Sequence, residues 1–313
     1  MDDTISFAMA CKEEVAVAER SLEEQKALLS AFVKGGGSLR IGSKQEIELS
    51  TESSTIAKML YMSFSQIYGA KCRFAYTRGI GFRKKTKYHV LVENPDLILE
   101  DLHVDFFSST IPATAHNEET KEAYLAGAFL SSGSVNDPSS SNYHLEIATS
   151  DLIYAKKLMH LINRLQTRPF SAKVASRRKE FIVYLKRSEE IADFIVLMKA
   201  PECCLRFEDV RLSRDYANIG NRLVNLDAAN MSKTTAAAER QLKEIQYFEE
   251  HGFSIDVSPK LKALMALRVA HPDASLEELA ALLSEELATT VTKSNINHLF
   301  RSLHAMYEEE MPS

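Results

Sequence analysis

The chain has 313 residues, 45% hydrophobic content and a net charge of −5, enough apolar material for two or three domains. No run of 18 or more apolar residues occurs, and the opening MDDTISFAMA lacks a basic stretch ahead of an apolar core. Neither a membrane-spanning helix nor a secretory signal is therefore expected, and no membrane partner. Cys11, Cys72, Cys203 and Cys204 form no CxxC pair, which speaks against a zinc site or a disulfide framework and fits a reducing cytoplasm.

In chain order, residues 1–19 form an N-terminal segment, and a pattern over 20–110 recurs over 118–205. The acidic, helix-favouring SLEEQKAL precedes LSAFVKGGGSL (Leu29 to Leu39), and NEETKEAY precedes LAGAFLSSGSV (Leu125 to Val135), about 97 residues on. IELST from Ile47 answers LEIAT from Leu145, and AKML from Ala57 answers AKKL from Ala155. Period-two alternation in EIEL and HLEIA predicts half-buried strands. TIAKMLYMSFSQIY and DLIYAKKLMHLINRL carry apolar residues at helical spacing. Each copy thus reads as helix, glycine turn, strand, amphipathic helix, strand, strand, helix. Four matches in register at nearly constant offset make a duplication, joined by the turn-rich STIPATAHNEET.

Positive charge falls at the same place in both copies. Lys71 to Lys87 holds seven basic residues and no acidic one, and Lys156 to Arg187 holds ten basic residues and one acidic one. Two cationic hairpins in equivalent positions would build one concave surface suited to a polyanion. Candidate phosphate contacts are Arg83, Lys84, Lys85 and Lys87 in the first copy, and Arg177, Arg178 and Lys179 in the second. The alternative is two solvated edge hairpins whose charge guards against aggregation.

Residues 206–255 read as a helical connector dense in arginine and asparagine, with Arg222 a further candidate phosphate contact. The alternative is a capped helix whose asparagines fix its turns. Residues 256–313 read as three short helices. Ser258 and Pro259 open the first, Ser275 with Glu278 forms a capping box at the second, and the third starts near Thr292. Ile296, Leu299, Phe300 and Leu303 mark the buried side of helix three. Its other side carries Lys293, Ser294, Asn295, Asn297, His298 and Arg301, types suited to base edges and phosphates. The segment from Ser275 to Glu308 is the candidate DNA-binding helix-turn-helix.

LAGAFLSSG aligns without gaps to the motif of LAGLIDADG homing endonucleases and resembles it. The resemblance implies two motif helices packed at the centre through Ala126, Gly127 and Ala128, with Ser30 and Ala31 opposite. It also implies a metal-binding carboxylate at the next-to-last motif position, where phosphodiester hydrolysis needs it. Those positions are Ser132 and, in the first copy, Gly35, with Leu130 and Lys34 at the other acidic position. None is a carboxylate, so no catalytic residue, no metal and no cofactor is expected, and no enzyme. The order of a degenerate LAGLIDADG duplication, NRLVNLDAANMSKTTAAAERQ and VTKSNINHLFRSL resembles the WhiA family of sporulation and cell-division transcription regulators. The fold class this implies is α+β: a duplicated LAGLIDADG homing-endonuclease-like domain with a C-terminal all-α helix-turn-helix domain. The function it implies is a cytoplasmic, nucleoid-associated DNA-binding regulator of cell division, chromosome segregation and sporulation. Its expected partners are double-stranded DNA and another transcription or cell-division regulator. The competing readings are a scaffold of the division machinery and an active endonuclease.

Overall fold

The computed structural model describes residues 5–42, 44–79, 86–112, 115–140, 142–253 and 257–311. It divides into two compact units, Met1–Asp215 and Tyr216–Ser313.

The first unit is built on two central helices, α2 (Leu22–Gly36) and α5 (Glu118–Ser132). Each begins where a polar side chain takes up the free amides of a first turn. Ser21 and Glu24 form a capping box on α2, and Asn117 and Thr120 form one on α5. Ala27 to Val33 of α2 and Ala123 to Leu130 of α5 are buried without interruption. Helices apolar all round belong in a core, and these two pack against each other.

Each central helix feeds a four-stranded antiparallel sheet. The first holds β1 (Gly37–Ile41), β2 (Gln45–Thr51), β3 (Cys72–Arg78) and β4 (Thr86–Glu93) in the order β1-β2-β4-β3. The second holds β5 (Gly133–Val135), β6 (Leu145–Thr149), β7 (Lys173–Arg177) and β8 (Glu180–Leu185) in the order β5-β6-β8-β7. The two orders are the same, as a duplication requires. Between the middle strands lie α3 (Ser54–Tyr68) and α6 (Leu152–Asn163), each packed on its own sheet. Alternation sends Ile47, Leu49, Val90 and Val92 of one sheet into the core, and Leu145, Ile147, Val183 and Leu185 of the other. The opposite face of each sheet is open. Short helices α4 (Asp96–Asp101) and α7 (Ser188–Leu197) end the two repeats.

The N-terminal helix α1 (Phe7–Val17) buries Phe7, Cys11 and Val15 in this core. Its Glu14 accepts from the Glu202 and Cys203 amides at 2.7 and 2.9 Å, capping α8 (Pro201–His251). All four cysteines are unpaired thiols.

The second unit takes the later part of α8 with α9 (Pro259–Ala270), α10 (Leu276–Glu286) and α11 (Lys293–Glu310). Ile245, Phe248, Leu264, Leu279, Leu283, Ile296, Phe300 and Leu303 form its core. Arg268 is buried there, donating to the Pro272 and Ala274 carbonyls at 3.1 and 2.6 Å, with its guanidinium over the Phe300 ring. Those bonds offset part of the cost of burying the charge, while its Nε is buried without a hydrogen-bond partner among the described residues. Among the described residues no helix is long and apolar enough to cross a membrane.

Candidate nucleic-acid interface

The ends of α2 and α5 are where the motif's metal-binding carboxylates would stand. Both helices stop at a glycine in extended conformation, Gly37 and Gly133, whose amides reach back to the Val33 and Phe129 carbonyls. The residue before each cap is Gly36 in the first copy and Ser132 in the second. The structural counterpart of Ser132 is therefore Gly36 and not Gly35, and the ungapped pairing of LSAFVKGGGSL with LAGAFLSSGSV likewise sets Gly36 against Ser132 and Gly35 against Ser131. Gly35 instead sits opposite Ser131, whose Oγ would lie 2.5 Å from a Cβ added there. The Ser132 hydroxyl is engaged as well, donating to the Ala148 carbonyl at 2.7 Å.

Lys34 folds its ammonium onto the Asp105 carbonyl at 2.6 Å, bonds the Ser108 carbonyl, and lies over the Tyr154 ring. Burial holds its pKa below the ordinary lysine range, against the opposing pull of Asp105 and Asp151. Among the described residues no group of three or more His, Cys, Asp or Glu side chains could hold a metal ion.

The open sheet faces carry more acid than the basic hairpins suggest. In the first sheet β2 presents Glu46 and Glu48 beside the basic residues of β1 and β3. Arg73 pairs with Glu46, Lys44 with Glu93 at 3.0 Å, and Arg40 with Glu48 at 3.6 Å. In the second sheet Glu146 sits between β8 and β5, and both its oxygens accept from Arg177, at 2.8 and 2.9 Å. His144 approaches the same carboxylate at 2.9 Å and stacks on Tyr184. The open faces of the two sheets thus carry opposite charges side by side. Strand pairing puts acids next to cations that are far from them in the chain.

The candidate phosphate contacts separate accordingly. Arg83, Lys84 and Lys85 lie outside the described residues. Lys87 is exposed on β4, and its pairing with Thr77 sets it on the open face. Arg177 is held by Glu146. Arg178, at φ 57°, makes the β7–β8 turn, where it and Lys179 are exposed. Arg222 is exposed on α8.

The candidate recognition residues of α11 also separate. Thr292 caps the helix in a capping box with Asn295, whose Oδ1 accepts from the Thr292 amide at 3.0 Å and its hydroxyl at 2.6 Å. Lys293 pairs with Glu277 of α10 at 3.0 Å. Ser294, Asn297, His298 and Arg301 remain as one exposed stripe at i, i+3, i+4 and i+7. Of these, among the described residues, only His298 has a side-chain contact, 3.4 Å from Ser302 Oγ. Ile296, Phe300 and Leu303 hold the opposite side in the core. Asn297 and Arg301 have no side-chain partner among the described residues, so their donors and acceptors are free to meet base edges. The turn before α11 passes through Ala288 at φ 51°, and Ser284 Oγ pins it by accepting from the Val291 amide at 2.8 Å.

Sequence reasoning missed the neutralising carboxylates Glu46 and Glu146, the capping role of Asn295 and the buried Arg268. The capping pattern of Thr292 with Asn295 was present in the local sequence. The carboxylates had no local signal.

Comparison with known proteins bears on the whole chain. Three family models match: the WhiA N-terminal LAGLIDADG-like domain over residues 22–105, the WhiA LAGLIDADG-like domain over 121–217, and the WhiA C-terminal HTH domain over 221–307. A "Probable cell division protein WhiA" of Lacticaseibacillus paracasei is 37% identical over 311 residues, 97% of each chain. Its namesake in Lysinibacillus sphaericus is 36% identical over 307 residues, 96% of this chain and 95% of its own. The crystal structure of full-length DUF199/WhiA from Thermatoga maritima superposes with a TM-score of 0.60 at 21% identity, covering 97% of this chain and 99% of that one. That last likeness is one of fold.

Proposed function

The chain belongs to the WhiA family, and from that premise we propose that it is a DNA-binding transcription regulator that does not cut DNA. In this reading α11 enters the major groove of double-stranded DNA, with Asn297, Arg301, Ser294 and His298 toward the base edges. The LAGLIDADG-like unit adds phosphate contacts through Lys87, Arg178 and Lys179. Its processes are cell division, chromosome segregation and, in spore formers, sporulation, and its place is the nucleoid. Another transcription or cell-division regulator is its protein partner.

The observation that carries the reading is the exposed polar stripe of α11, with Asn297 and Arg301 unpartnered among the described residues, on a helix anchored by its apolar side. The non-cutting part rests on the residues at the two helix ends. Gly36 offers no ligand, and Ser132 uses its hydroxyl within the fold.

The test is a gel-shift titration against DNA selected from a random pool, comparing the native chain with Asn297→Ala and Arg301→Ala. Each substitution is expected to cost about 1–3 kcal/mol and to relax preference at one base position. Unchanged affinity and preference in both variants would overturn the reading. Incubating the native chain with supercoiled DNA and Mg²⁺ tests the non-cutting part, which chelator-sensitive nicking would overturn.

A second reading makes the LAGLIDADG-like unit a docking surface for a protein of the division machinery. The charge-balanced sheet faces favour it, because paired acids blunt attraction for a polyanion. Phosphate contacts give a steep fall of DNA affinity with salt. A DNA affinity whose salt dependence is unaltered by Lys87→Ala, Arg178→Ala and Lys179→Ala together would favour this second reading.

A further inference from the structure

From Asp215 to Ala236 every residue of α8 is exposed. Most of the stability of a helix in a protein comes from packing an amphipathic face, more than from intrinsic propensity. This stretch has such a face. Tyr216, Ile219, Leu223 and Leu226 are 72%, 53%, 57% and 56% exposed. They follow one another at steps of three, four and three residues, and Leu212 continues the row one turn earlier at a step of four. That alternation is the heptad seam of a two-stranded coiled coil, narrower than the stripe a helix presents to a globular core. Diametrically opposite run Asn218, Asn221 and Asn225, a face suited to water.

We propose that α8 pairs with α8 of a second copy of this chain, parallel and in register, along Tyr216, Ile219, Leu223 and Leu226. Three features choose this occupant. In the assignment that places Tyr216 and Leu223 at position a, the next a position is Asn230. A single asparagine there meets its own copy in the same layer, and this fixes register and a two-stranded state. Arg222 falls at g and Asp227 at e. In a parallel pair each g side chain reaches the e side chain of the following heptad on the other strand, giving two Arg222–Asp227 pairs across the dimer. Neither residue has an ion-pair partner within its own chain among the described residues. An antiparallel pair would instead set Arg222 against Arg222.

This inference is independent of DNA binding, and its readout is the mass of the free protein. Sedimentation velocity on the full chain, up to about 100 µM, is expected to show a monomer–dimer equilibrium. Leu223→Glu should weaken it roughly a hundredfold, since two apolar side chains leave the seam and two charges replace them. Asn230→Ile should tighten it. Arg222→Glu should weaken it and Arg222→Glu with Asp227→Arg should restore it. Leu223→Cys should form a disulfide between copies on oxidation, because like a positions meet only in a parallel pair. All these positions are exposed, so each variant should keep the native circular dichroism and, at concentrations where the chain is a monomer, the native melting temperature. A monomer at every concentration overturns the proposal. So does a dimer indifferent to Leu223→Glu, or a charge swap that the double variant does not rescue.

Discussion

Gly127 of α5 lies so close to Leu28 of α2 that a Cβ placed on it would stand 2.1 Å from the Leu28 carbonyl oxygen. The obstacle is backbone of the neighbouring central helix, which no rotamer change relieves. Gly127→Ala is therefore expected to destabilise the first unit by about 3 kcal/mol or more, at the upper end of overpacking costs. At Gly35 the obstacle is the Ser131 hydroxyl, a side-chain atom that can rotate away, so Gly35→Ala should cost less. Urea unfolding of both variants measures the difference, and equal losses would contradict it.

Asn295 and Asn297 stand two residues apart on α11 and should respond differently to alanine. Asn295 serves the capping box with Thr292. Asn295→Ala should lower the stability of the second unit by about 1 kcal/mol. Asn297 has an exposed side chain without a partner, so Asn297→Ala should leave stability within about 0.5 kcal/mol. Thermal unfolding read beside a gel shift separates the two: a stability loss at Asn295, and a DNA-affinity loss at Asn297.

Glu146 holds Arg177 by two contacts. Glu146→Gln should release the guanidinium to a phosphate. Non-specific DNA affinity should rise, and the slope of log affinity against log salt should steepen by about 0.9 for the added contact. Fluorescence anisotropy at several salt concentrations reads both quantities. An unchanged slope would mean that Arg177 does not face DNA.

Lys12 of α1 lies 5.7 Å from the centroid of the Phe129 ring, and burial pushes its pKa down to about 8, with Glu52 pulling the other way. Below about pH 8 both the folded and the unfolded chain carry this proton. Between about 8 and the ordinary value of 10.5 the unfolded chain holds more of it, so stability from this group rises with pH across that window. Lys12→Met should be about 1–2 kcal/mol more stable than the native chain at pH 7. That advantage should shrink toward pH 10.5. Urea unfolding of both proteins at pH 7, 9 and 10.5 gives the difference, and a constant difference would contradict it.

The duplication, the glycine turns after the motif helices and the capped helices of the second unit were legible because their signals are local. A cap and its partner lie three residues apart, and strand alternation repeats every two. Even the heptad row on α8 is written in consecutive residues, although only its exposure shows that the row is unpartnered. Other features depend on atoms brought together from distant positions. The charge of the sheet faces was misjudged because the acids and the cations lie on different strands. Arg177 is 31 residues from Glu146, and Arg73 is 27 from Glu46. The sequence by itself determined the family, the repeated α+β scaffold and the polar helix α11, because periodicity, capping and motif order are properties of neighbouring residues. Only the tertiary structure decided which cations are already paired and which polar side chains remain free, because electrostatic neighbours across a sheet are set by strand order and register.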